Sequence, residues 1–370
     1  MTQIDLEIQL IALVVAVSCA LPGVFLVLRR MALMSDAISH TVLLGIVLAF
    51  FVTGDISSPL LIVAAAATGI LTVALVEATH GTRLVKRDAA IGLVFPALFS
   101  IAVILISRYA GNVHLDTDSV LLGELAFAPF RRLEVAGVDI GPRALYLMGA
   151  VLLLNVAFIF TFYKELKLFT FDAALAAALG FSPVVLHYVF MGLVSVTVVG
   201  AFDAVGSILV VALMIVPPAG AYLLTDRLPW MIALSALLGA TAAVAGYWLA
   251  WLADASIAGS IAAVAGAQFL LVFLLAPERG VVAQAVHRAR QRVEFAQLML
   301  AIHLLHHEGT PEAERESRES ELHEHLRWSP DFVKRVVRQA ERGDLIERSA
   351  DGRLHLTSMG RDAARSAITA

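Results

Sequence analysis

Residues 6–52 read LEIQLIALVVAVSCALPGVFLVLRRMALMSDAISHTVLLGIVLAFFV. Two apolar runs flank Arg29-Arg30, and each reaches the roughly 20 residues that a helix needs to cross the hydrocarbon core of a bilayer. Inside the second run stand a carboxylate and an imidazole, Asp36 and His40. This pattern predicts an all-α polytopic membrane protein. Composition agrees: the 370 residues are 59% hydrophobic and only 16% charged, with a mean hydropathy of +0.83. Soluble domains carry about 25% charged residues.

Working outward, apolar stretches predict spans near 6–28, 31–52, 58–79, 89–107, 142–162, 184–201, 204–224, 229–252 and 256–276. The count is eight or nine, because the break at Gly200–Asp203 is short. Asp118–Phe130 has room for a further short or re-entrant helix. Basic residues cluster at Arg29/Arg30, Arg83/Lys86/Arg87, Lys164/Lys167, Arg227 and beyond Pro277. With nine spans and an outside amino terminus, all of these fall on the cytoplasmic side, as does the carboxyl tail. Arg108, Arg131, Arg132 and Arg143 fall in a long outer loop and are the misfit. Asp5 and Glu7 lead the first run, so it is expected to stay in the membrane rather than be cleaved as a signal. Pro22-Gly23, Pro96 and Pro217-Pro218 with Gly220 lie at membrane depth, where they mark either broken helices beside a path or close helix packing. The lone Cys19 excludes an intramolecular disulfide and a thiolate metal cluster.

Ionisable residues inside spans are costly and point to function. Asp36 and His40, at i, i+4, share one helix face with β-carbons about 6 Å apart. Helical rise from Arg30 puts His40 about 15 Å in, near the bilayer middle. A carboxylate oxygen with an imidazole nitrogen suits Mn²⁺, Fe²⁺ or Zn²⁺ better than Mg²⁺ or Ca²⁺. The same pair could instead serve as an ion pair that fixes packing. In segment 163–183, Asp172 reads as an N-cap, Ala176 lies in an alanine-rich run, and Gly180 reads as a C-cap before Pro183. That makes a short helix able to enter a partner's groove, or a plain connector. The outer loop offers His114, Asp116 and Asp118, with Asn112 and Glu124 nearby, either as solvated polar groups or as ligands receiving metal from an extracytoplasmic binding protein. No Gly-x-x-x-x-Gly-Lys-Ser/Thr motif occurs, so the chain is not expected to hydrolyse ATP alone; if it is a pump component, a separate ATPase must drive it.

Three separated stretches resemble manganese/zinc/iron ABC-transporter permeases: residues 20–50, which contain RRMALMSDAISH; Lys86–Phe99, with RDAAIGLVF; and 171–228, from FDAALAAALGF to AVGSILVVALMIVPPAGAYLLTDRL. The resemblance covers roughly residues 6–276. It implies that Asp36 and His40 line the metal path and that 164–181 is the coupling element docking on an ABC ATPase subunit. Asp203 stands where that family is expected to carry a neutral amide or small polar residue.

Residues 281–370 hold 14 Lys/Arg and 14 Asp/Glu, half of all basic side chains in under a quarter of the chain. This shift places a boundary near Pro277, with a transmembrane permease domain at 1–280 and a small cytoplasmic α+β winged-helix domain at 281–370. Residues 281–308 read as a helix with Val293, Ala296, Leu300 and Leu304 on one face. Thr310–Ser320 reads as a loop, Glu321–Leu326 as helical, and Asp331–Arg342 as a helix opened by Ser329-Pro330 and ended by Gly343. A hairpin turning at Asp351-Gly352 follows, then a short helix capped by Thr357. Glu294–Gly360 resembles the DNA-binding half of metal-dependent repressors, and stops before the region that completes their metal site. Lys334, Arg335, Arg338 and Arg342 would suit phosphates, yet the tail is neutral and tethered, so nucleic acid is not the expected partner. Seven of the eleven histidines lie here, and His303 and His307 share a face as candidate regulatory residues or as a solvated surface.

These readings predict the permease subunit of an ATP-driven importer in a bacterial plasma membrane, carrying Mn²⁺ first, then Zn²⁺ or Fe²⁺. Its expected partners are ABC ATPase subunits, an extracytoplasmic metal-binding protein, membrane lipid and a second permease copy or sister permease. A dimer would bring two Asp and two His together. The rival readings are an ATPase-independent secondary transporter and a membrane-tethered regulator.

Overall fold

Every apolar run becomes one uninterrupted helix. The computed structural model describes residues 2–55, 58–109, 125–135, 138–311 and 313–369, and divides into two compact units, Met1–Gly280 and Val281–Ala370. Among the described residues of the first unit, nine helices are long and apolar enough to cross a membrane. They are α1 (Gln3–Leu28), α2 (Leu33–Thr53), α3 (Pro59–Gly81), α4 (Arg87–Tyr109), α5 (Arg143–Thr161), α8 (Pro183–Val205), α9 (Ser207–Leu224), α10 (Leu228–Ala253) and α11 (Ile257–Leu275). Between α5 and α8 lie two shorter helices, α6 (Tyr163–Phe171) and α7 (Ala173–Ala178). The chain is thus a multi-pass membrane protein.

Helix ends follow local chemistry. Thr2 and Asp5 form a reciprocal capping box that opens α1, and Gly54, at φ 64°, closes α2 in a left-handed turn. Arg30 also has positive φ, so Arg29–Ala32 form a turn and α2 begins only at Leu33. Counted from there, His40 sits about 10 Å into its helix rather than 15 Å beyond Arg30.

The prolines do not break their helices. α1 runs through Pro22 and α9 through Pro217-Pro218, all buried. A β-carbon at Gly23 would collide with the Met214 carbonyl and the Pro218 ring, so this glycine sets how closely α1 approaches α9. Gly45 does the same for α2 against Ala64 and Thr68 of α3. Small and polar side chains then tie the helices, as expected where lipid gives no hydrophobic drive for association. Asn155 of α5 donates to the Ser18 carbonyl at 3.0 Å and to Thr197 Oγ1 at 3.1 Å. Thr72 donates to Thr41 at 2.8 Å, and Ser195 to the Ala66 carbonyl at 3.0 Å.

Leu125–Phe130 is a 3₁₀ helix, followed by an antiparallel pair, β1 (Arg132–Val135) and β2 (Val138–Pro142). Two of the misfit arginines, Arg131 and Arg132, have acidic partners. Arg132 meets Glu7 at 2.8 Å and Asp139 at 2.7 Å, while Arg131 meets Asp203 at 3.1 Å. The remainder of Asp118–Phe130, up to Glu124, lies outside the described residues.

The second unit has its own core. α12 (Val281–His307) buries Val293, Ala296, Leu300 and Leu304, the face that periodicity predicts. They pack with Leu322, Val333, Val336, Val337, Ile346 and Leu354. The stretch read as a loop contains a helical turn, α13 (Ala313–Glu316), and α14 runs Glu319–His325. α15 (Pro330–Arg342) ends at Gly343 as read, and β3 (Ile346–Arg348) pairs with β4 (Leu354–Leu356). Thr357 Oγ1 accepts from the Gly360 amide at 3.0 Å, and α16 (Ser358–Thr369) is twelve residues long rather than short.

Candidate functional site

Asp36 lies in the first turn of α2, where the helix dipole favours a carboxylate. One turn on, His40 Nε2 is 3.4 Å from Asp36 Oδ1. That exceeds a good hydrogen bond. Two rings of α4 hold the imidazole: Phe95 stacks on it at 5.7 Å and Phe99 meets it edge-on at 5.8 Å. Neither polar group is sealed, with side-chain exposures of 37% for Asp36 and 28% for His40. Among the described residues no third His, Cys, Asp or Glu completes a cluster with them. His114, Asp116, Asp118, Asn112 and Glu124 lie outside the described residues.

Segment 164–181 is two helices with a sharp joint at Asp172. Its backbone is extended, and its carboxylate accepts from the Leu175 amide at 2.9 Å, making it the N-cap of α7. At the other end the cap is Leu179, and Gly180 lies one residue beyond, at φ 88°. Gly180 donates to the Ala177 carbonyl and Phe181 to that of Ala176, at 3.0 and 3.1 Å, a Schellman closure. Ala176 turns inward and is buried, whereas Leu175, Leu179, Phe171 and Phe181 are exposed. The short helix thus presents apolar side chains outward.

One cluster escaped the sequence reading. Arg29 Nη2 lies 3.0 Å from His187 Nδ1, and His187 Nε2 lies 3.5 Å from Glu77 Oε1. Arg87 reaches the same Glu77 oxygen at 3.3 Å, and the Arg29 guanidinium stacks 4.1 Å over the Phe169 ring of α6. Five elements therefore meet: the turn after α1, the end of α3, the starts of α4 and α8, and α6. In the sequence Arg29 and Arg87 register as orienting charges within family-resembling stretches, not as members of one site. The available signal was Glu77 and His187, ionisable residues inside predicted spans.

In the second unit His303 and His307 converge, with ring centroids 4.8 Å apart, and both face Glu316, which periodicity did not single out. Burial, with His307 beside it, holds the His303 imidazole below its ordinary value.

Residues 2–276 match the ABC 3 transport family. The zinc transport system membrane protein TroD of Treponema pallidum is 48% identical over 355 residues, 96% of either chain. The manganese transport system membrane protein MntD of Bacillus subtilis is 51% identical over 282 residues, 76% of this chain and 95% of its own. Among solved structures, PsaBC from Streptococcus pneumoniae in complex with Fab matches with a TM-score of 0.63 and 31% identity, covering 75% of this chain and 94% of that one.

Proposed function

The chain belongs to the ABC 3 transport family, and we propose that it is the permease subunit of an ATP-driven importer for a divalent transition metal, with Mn²⁺ first and Zn²⁺ second. The observation that carries this reading is the Asp36–His40 pair. Two ligands each about 2.1 Å from one ion, at a tetrahedral angle, stand about 3.4 Å apart, and the observed separation is 3.4 Å. A second copy, or a sister permease, would supply the remaining carboxylate and imidazole. The relatives' names divide between manganese and zinc, and a mixed N/O site takes both, with Fe²⁺ a third candidate.

The chain is not itself the motor. Helices α6 and α7 would dock on ABC ATPase subunits through the exposed Leu175, Leu179 and Phe171, with Asp172 and Gly180 holding the helix ends. An extracytoplasmic protein would deliver metal to the outer loop. The second unit, with its helices and hairpin, reads as a cytoplasmic winged-helix-like regulatory domain, and the family match ends before it, at residue 276.

Metal uptake with the partner ATPase present tests the reading. Asp36→Asn and His40→Ala should each reduce uptake to background while membrane insertion and ATPase association persist. Wild-type uptake in both variants overturns the site. Uptake by proteoliposomes containing this chain without an ATPase overturns the ATP-driven reading in favour of a secondary transporter.

A further inference from the structure

The last two turns of α12 carry His303 and His307, and the fold brings two further ligand-bearing side chains onto them. Glu316 arrives from α13, and His325 closes α14. His307 Nε2 lies 2.9 Å and His303 Nε2 3.4 Å from Glu316 Oε2, and His325 Nδ1 lies 3.8 Å from Oε1. Ligand atoms of His303, His307 and Glu316 all fall within 4.8 Å of one another. The cluster is shielded on one side and open on the other, with exposures rising from 13% at His303 and 18% at Glu316 to 38% at His325. Beneath it Leu300, Leu304 and Leu322 are buried core, so α12 and α14 hold their histidines on a packed base.

We propose that His303, His307, Glu316 and His325 form a Zn²⁺-binding site in the second unit, separate from the Asp36–His40 pair. One carboxylate needs one cationic partner, and three imidazoles around it exceed that need. Three nitrogens and an oxygen are a full tetrahedral set for zinc, with ligands about 2.0–2.2 Å from the ion. Such a set spaces its ligand atoms about 3.3–3.5 Å apart; here His307 and His303 lie 2.9 and 3.4 Å from one Glu316 oxygen, and His325 stands 3.8 Å from the other as the outermost member. Imidazole-rich ligation also ranks Zn²⁺ above Mn²⁺ in the usual affinity order. The ion would tie α12 to the α13–α14 segment and stiffen the unit. Its use as a signal that slows import rests on the importer reading above, whereas zinc binding itself does not.

The full-length chain in detergent is titrated with Zn²⁺ against a chromophoric chelator. Wild type should bind a tight equivalent that the double variant His303→Ala/His307→Ala weakens more than about 100-fold and that Asp36→Asn leaves intact. Thermal unfolding of the metal-free variants checks the fold. If the double variant unfolds, Glu316→Gln and His325→Gln carry the same measurement. Co²⁺ gives an independent readout: strong visible bands of a tetrahedral site in wild type, lost in the variants. An unchanged zinc equivalent in folded variants, or weak octahedral Co²⁺ bands in wild type, overturns the site. Loss of uptake in Asp36→Asn with this equivalent retained supports both readings separately.

Discussion

At the scale of single residues, two groups of ionisable side chains meet within the spanning helices, Asp36 with His40 and the set around Glu77. Glu77 is the hub of one. It faces Arg87 and His187, and His187 in turn accepts from Arg29. Glu77→Gln keeps the shape but removes the charge, leaving two guanidinium groups without their counter-ion in a half-buried setting. The expected cost is about 1–3 kcal/mol, seen as a lower unfolding temperature in detergent, with Glu77→Asp milder. Because Arg29 also stacks on Phe169 of α6, the variant should loosen α6 as well. Amide exchange confined to α6 and the start of α8 is the measurement, and unchanged exchange there would separate this cluster from segment 164–181. Asp36 and His40 were legible from their spacing alone. Glu77 and His187 lie far apart in sequence, and only folding showed that they share a site.

At the scale of elements, the short helix α7 carries the next prediction. The Ala176 amide donates to the Asp172 carbonyl at 3.1 Å, and proline at this position removes that bond and clashes with the preceding turn, costing about 3 kcal/mol. Ala176→Pro should therefore reduce ATPase association and metal-stimulated ATP hydrolysis while metal binding at Asp36 and His40 persists. Leu175→Ser with Leu179→Ser should do the same without breaking the helix, since those side chains point outward. Full coupling in both variants would make 164–181 a connector. Gly23 offers a test of packing rather than coupling. Gly23→Val forces α1 away from the Met214 carbonyl, and the overpacking should cost about 1–3 kcal/mol, measured as lost yield of folded protein. Proline and glycine positions were visible in the sequence. Whether they broke helices or packed them was not, because the deciding contact comes from a helix nearly 200 residues away.

At the scale of the whole molecule, the family match ends at residue 276 and the second unit begins at Val281, and their proposed roles part in the same way. The first unit contains the Asp36–His40 pair and the α6–α7 segment, so a chain ending at Gly280 should still carry metal with its ATPase. It should lose any inhibition by cytoplasmic metal that the full chain displays. Uptake measured against internal metal concentration decides this, and identical curves for the two chains would leave the tail a structural or assembly module. The sequence by itself determined the membrane class, the positions of the spans to within a few residues though not whether they number eight or nine, the division near residue 280 and the spacing of Asp36 and His40. All of these depend on composition and on spacings within one helix, where the physics is local. Tertiary structure alone decided the partners of the loop arginines, the Arg29–His187–Glu77–Arg87 cluster, the unbroken course of the proline-bearing helices and the arrival of Glu316 and His325 beside His303 and His307. Those depend on which helix faces are brought together, and an apolar run that is hydrophobic on all sides carries no mark of its neighbours.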